Sequence, residues 1–107
     1  MKALFYNYPW SMDVPGGGER QMLAYAHHLP SFNVEVDLYD MWKPALDQYQ
    51  IFHAFSVMPG IIEMCDYAKK RGLKLVVNPN LWITRETREN YPYNGIWNIL
   101  ELADRII

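Results

Sequence analysis

The chain has one cysteine, Cys65, in 107 residues. No internal disulfide can form, so packing alone must hold the fold, and a reducing, cytoplasmic setting fits this usage. Long hydrophobic runs are also missing: no apolar stretch nears the roughly eighteen residues that a membrane span needs. The opening Met1-Lys2-Ala3-Leu4-Phe5-Tyr6-Asn7-Tyr8 is too short and too polar for a signal peptide and reads as a first strand. An excess of one charge is absent. Ten Lys and Arg against twelve Asp and Glu leave a formal net charge of −2, which gives no reason to expect a nucleic-acid partner. His27 and His28 stand away from the apolar stripe of their helix, and no metal-ligand spacing surrounds them. Ser11 and Ser56 lack the Gly-x-Ser-x-Gly setting of a strained nucleophile, and no carboxylate pair is spaced for acid–base work. No metal and no cofactor are expected.

What is present is a packed globule. Half of the residues are apolar and 15% are aromatic, which argues against disorder, and the length suits a single domain spanning 1–107. Residues 2–8 predict an aromatic-rich strand. Met22, Tyr25, Ala26 and Leu29 recur at i, i+3, i+4 and i+7, predicting a helix from Glu19 to about Leu29 that Pro30 stops. Val34, Val36 and Leu38 alternate with polar residues, as in a strand near a sheet edge. Met41 to Gln48 reads as a linker or helical turn, and Ile51 to Phe55 as a buried strand. A second helix opens at Pro59-Gly60, buries Ile61, Met64, Cys65 and Ala68, and ends at Lys69-Lys70-Arg71-Gly72. Leu73 to Val77 is another buried strand, Thr84 to Asn94 a loop or broken helix, and Ile96, Ile99, Leu100 and Ala103 mark a last helix. Alternating strands and helices predict an α/β, Rossmann-like, three-layer domain with a mostly parallel sheet. The ending Arg105-Ile106-Ile107 reads as a strand just beginning, and so predicts a fragment of a longer protein.

The most informative stretch is Asp13-Val14-Pro15-Gly16-Gly17-Gly18-Glu19-Arg20, a glycine turn between a strand and a helix. Glycines admit close approach of a ligand to the backbone, and the unpaired N–H groups of a helix start attract anions. Gly16, Gly17 and Gly18 are therefore candidates for phosphate contact, although Glu19 competes for the same helix dipole. The spacing is not a dinucleotide fingerprint, because Gln21 stands where its third glycine would be. Ligands of such sheets bind at the carboxyl ends of the strands. The loops there would gather Trp10, His53, Asn80, Trp82 and Arg85, a mixture of stacking surfaces, hydrogen-bonding groups and a cation that suits a sugar. His53, at the edge of a buried strand, is balanced between a satisfied core histidine and a site residue. Cys65, on a buried stripe, reads as inert packing.

The segment Pro9-Trp10-Ser11-Met12-Asp13-Val14-Pro15-Gly16-Gly17-Gly18-Glu19-Arg20, running into Gln21 to Leu29, resembles the first loop and helix of family 4 glycosyltransferases. Gln50 to Phe55, Gly72 to Asn80 and Leu102 to Ile107 look like later strands of that family, so the resemblance runs loosely over the whole chain. It implies one half of a GT-B architecture, the N-terminal, acceptor-side domain of a retaining enzyme. That enzyme would move a sugar from a nucleotide-sugar to a glycan, lipid or small acceptor. By resemblance, Gly16 and Gly17 touch the donor phosphates, Trp10 the acceptor, and Arg85 the acceptor or the donor phosphate. Asn80 stands where many members carry His, and Asn cannot take a proton near neutral pH. The donor site and its acidic motif belong to a second domain, so this chain alone should not catalyse transfer. Many members also touch the inner membrane face, but Lys69-Lys70-Arg71 is too small a patch to argue that from residues. The rival reading is a standalone Rossmann-like module that binds a phosphorylated metabolite or a protein partner without chemistry.

Overall fold

A computed structural model describes residues 1–13, 15–43, 46–58, 60–80 and 95–107. Its centre is a five-stranded sheet in the order β2-β1-β3-β4-β5, with every pairing parallel. The strands are β1 (Lys2–Tyr6), β2 (Glu35–Leu38), β3 (Ile51–Ala54), β4 (Lys74–Val77) and β5 (Arg105–Ile106). The helices are α1 (Gly17–His28), α2 (Ile61–Lys70) and α3 (Gly95–Leu102). The expected α/β, Rossmann-like architecture is what the chain forms.

Period-two alternation divides the strand side chains between two helical layers. Leu4, Phe52, Ala54, Leu75 and Val77 face α2 and α3, packing on Ile61, Cys65, Ala68 and Ile99. Ala3, Phe5 and Phe55 face α1, packing on Met22, Tyr25 and Ala26. The chain leaves β1 toward β2 on one side and leaves β3 toward β4 on the other. Right-handed crossovers therefore place α1 on the face opposite α2 and α3. The order reverses between β1 and β3, which makes their carboxyl ends the switch point of the sheet.

The start of α1 differs from the sequence pattern, and its end adds a feature. Helix α1 begins at Gly17, two residues before Glu19, because Gly16 is the extended cap residue (φ −121°) and Glu19 accepts its N–H. At the other end α1 stops at His28, just ahead of Pro30 as expected, and the chain continues as a 3-10 turn over Leu29–Phe32. Proline has no N–H for the α-type bond, so the shorter repeat takes over until Asn33, whose left-handed φ of 65° ends the turn. Gly72 ends α2 at φ 91°, as its place after Lys69-Lys70-Arg71 predicts. Strand β2 is an edge, mostly exposed, in line with its alternating pattern. The expected loop or broken helix at Thr84 to Asn94 lies outside the described residues.

Candidate functional site

The loop after β1 coils tightly before it reaches the helix. Ser11 N–H donates to the Tyr8 carbonyl and Asp13 N–H to the Trp10 carbonyl, each at 3.1 Å. These turns leave Trp10 half exposed with its ring 4.9 Å from that of Tyr8. The Tyr8 hydroxyl donates to Glu19 Oε1 at 2.6 Å, and Gly16 N–H donates to Glu19 Oε2 at 2.7 Å. Glu19 is thus a buried carboxylate with both oxygens occupied. The bond from Tyr8 holds it below the usual carboxylate range against the opposing pull of burial, and the Gly16 N–H adds to the effect. The same bond raises the Tyr8 phenol. A negative charge of the chain's own already sits at the start of α1, where the helix dipole favours it.

The three glycines of the turn differ in what surrounds them. None has positive φ; among the described glycines only Gly60 and Gly72 do. A Cβ on Gly18 would stand 2.7 Å from Asn80 Nδ2, so any larger residue there must displace the Asn80 side chain. At Gly16 the nearest contact would be Glu19 Oε2 at 3.4 Å. A Cβ on Gly17 would meet nothing within 4 Å. Neither backbone conformation nor packing among the described residues requires a glycine at position 17.

Asn80 follows β4 in a left-handed conformation (φ 55°), and its Nδ2 donates to the Phe55 carbonyl at 3.1 Å. It therefore joins the end of β4 to the loop after β3 and to the first turn of α1. Tertiary structure brings Gly18 and Asn80 into contact, with Gly16 and Gly17 beside them in chain. Trp10 connects to this group through Tyr8 and Glu19. Arg85, like Trp82, lies outside the described residues.

His53 sits behind the rim, 5% exposed, facing α1. Its ring stacks on Phe55 at 4.1 Å and meets Phe5 edge-on. Nε2 lies 2.6 Å from Asn78 Oδ1. Asn78 Nδ2 donates to Gln21 Oε1 at 3.4 Å, and Gln21 Nε2 donates to the Tyr25 hydroxyl at 3.2 Å. The Asn78 oxygen is thereby the acceptor, and the proton of the neutral imidazole is on Nε2. Burial pushes this histidine down to about 4, against the upward effect of the Asn78 bond. It is a satisfied, uncharged core group that ties β3 to β4 and, through Gln21, to α1. Cys65 is fully buried and its thiol is pushed up to about 12 by burial, so it is inert packing, as expected.

Tyr8 and Asn78 are polar residues of this region that the sequence pattern did not single out, and Glu19 and Gln21 were noted there without the hydrogen bonds that they make. A signal existed for Glu19: three residues after the cap is the position from which a Glu reaches back to the cap N–H. Tyr8 and Asn78 have no such local signature, since their partners are 11 and 25 residues away. Among the described residues no group of His, Cys, Asp and Glu could hold a metal ion, and no helix is long and apolar enough to cross a membrane. Comparison with protein-family profiles, with curated proteins and with solved structures gives no match.

Proposed function

We propose that this chain is the acceptor-side domain of a retaining glycosyltransferase similar to family 4, with the turn Gly16–Gly18 contacting the phosphates of a nucleotide-sugar. The observation that carries the reading is Gly17. It lies in the first turn of α1, at the carboxyl rim of the sheet, and lacks a side chain where a side chain would have room. A ligand that needs the backbone amides supplies the reason that the fold does not. In this reading the glycines neutralise charge at the leaving phosphate. Asn80, beside Gly18, donates to or accepts from a sugar hydroxyl, Trp10 offers a ring to the acceptor, and Arg85 adds a cation. Transfer itself needs a donor-binding partner domain, and His53 acts by positioning Asn78 and the end of β4. The work of the domain is orientation and electrostatic complementarity at the leaving group.

The test is an amide-resolved NMR titration of the chain with uridine diphosphate. Shifts at Gly16, Gly17 and Gly18 are expected in the millimolar range, since half of the site is in another domain. Gly17→Val should abolish them with the melting temperature nearly unchanged, because its side chain enters open space. Glycine amides that stay still, or a Gly17→Val chain that responds as before, would sink the phosphate assignment.

The second reading, a binding module without chemistry, gains from Glu19. Its carboxylate already occupies the cap N–H of the turn, which disfavours a phosphate and leaves room for an uncharged ligand or a protein partner.

A further inference from the structure

A cleft of about 370 Å³ opens between the carboxyl ends of β1 and β2, with none of the three turn glycines among its walls. Asn7, Tyr8, Met12, Leu38, Tyr39 and Met41 are among its walls, and no Asp, Glu, Lys, Arg or His is. Its volume falls within the range of small-molecule sites, roughly 300–1,000 Å³. The loop after β2 holds two strongly exposed large apolar side chains: Met41 is 62% and Trp42 is 84% exposed. Water-exposed methionines and tryptophans gathered at a rim mark a binding surface.

Asn7 supplies the specific feature. Its Oδ1 accepts the Tyr8 N–H at 2.9 Å, which fixes the orientation of the amide. A flipped amide would set two donors against each other. The nitrogen left over, Nδ2, is sealed from water and has no hydrogen-bond partner among the described residues. A buried donor without an acceptor costs roughly 1–3 kcal/mol. The chain carries that cost at the wall of a mainly apolar cleft without charged side chains.

We propose that this cleft binds a flat, uncharged ring bearing a hydrogen-bond acceptor, which Asn7 Nδ2 satisfies. The ring lies among Tyr8, Tyr39 and Leu38. Because Nδ2 is covered, a wall must yield for the acceptor to reach it, and Met12 and Met41 are the unbranched, adaptable side chains among the walls. A charged ligand is disfavoured, since the walls hold no ionised partner and desolvation would go uncompensated. The site stands without the transferase reading. Under that reading the ring belongs to the acceptor, because the glycines that would hold the donor are not among the cleft walls.

A methyl-resolved NMR titration of the chain tests this with two probes. Coumarin is a flat, uncharged bicycle with a carbonyl, and naphthalene has a similar shape without an acceptor. Coumarin is expected to shift Met12, Leu38 and Met41 and to bind several-fold more tightly than naphthalene. Asn7→Asp keeps the oxygen that takes the Tyr8 N–H but removes the donor, and should erase the preference. Met41→Asp, at an exposed position that the fold tolerates, should weaken both rings. Equal affinity for the two rings, or shifts that avoid these residues, would overturn the proposal. Neither result depends on uridine diphosphate, so the two readings succeed or fail separately.

Discussion

Glu19 holds two donors that would otherwise be stranded, the Tyr8 hydroxyl and the Gly16 amide. It also presents negative charge where a phosphate would come. These roles pull in opposite directions and can be separated. Glu19→Gln keeps the shape and an acceptor but removes the charge. Loss of the charge-assisted bonds should lower stability by about 1–2 kcal/mol in urea unfolding. The same variant should bind uridine diphosphate several-fold more tightly than the parent chain if the turn is an anion site, because a repelling carboxylate is gone. Unchanged affinity would mean that the ligand does not approach the helix start. Gly18 is different, since its smallness serves Asn80; Gly18→Ala should destabilise the chain with or without ligand, as a Cβ 2.7 Å from Nδ2 forces Asn80 off the Phe55 carbonyl.

At the level of elements, the short edge strand β5 depends on one carboxylate. Asp104 N–H donates to the Leu75 carbonyl and Asp104 Oδ2 accepts the Leu75 N–H, both at 2.8 Å. Lys69 Nζ reaches both the Leu102 carbonyl at 2.8 Å and Asp104 Oδ1 at 3.3 Å, linking the end of α2 to the end of α3. The Leu75 bond, ahead of Lys69, holds Asp104 below the usual carboxylate range. Asp104→Ala should cost about 1–2 kcal/mol and speed amide exchange at Leu75 and Ile107 more than at β1. Uniform acceleration across the sheet would instead mean that β5 opens only with the whole fold. The Asp104 side chain thus adds a bond to β4 beside the ladder of the two-residue strand.

For the whole molecule, His53 sets a pH dependence. Its folded value, about 4, lies below the 6.5 of a free histidine. As pH falls through 6.5 the unfolded chain takes up a proton that the folded chain refuses, so stability drops until about 4 and then levels off. The loss between pH 7.5 and 5 should be on the order of 2 kcal/mol. Glu19 and Asp104, both depressed, contribute stability that is present above their unfolded values of 4.5 and 3.8 and is lost below them, a separate and more acidic window. His53→Gln retains a donor for Asn78 and does not titrate. Urea midpoints followed from pH 7.5 to 5 should fall markedly less in that variant. Parallel profiles would show that the histidine is not held neutral by burial.

The sequence by itself determined the elements and their class. Helical periodicity in 22–29 and 61–68, strand alternation in 34–39 and the Gly72 stop are local signals, and local sterics and burial obey them. The competition of Glu19 with an anion was legible for the same reason, since its charge falls in the first turn of the helix. Only the tertiary structure decided what the polar residues do. Asn78 is drawn to His53 and Asn80 to Gly18 by the pairing of β3 with β4 and the return of α1 over the sheet, contacts whose sequence separations of 25 and 62 leave no periodic trace. The neutrality of His53 follows from that enclosure and from no feature of its neighbours in chain. The same holds for the cleft at Asn7. It exists because β2 docks beside β1, which brings Leu38, Tyr39 and Met41 to a donor more than thirty residues earlier in the chain.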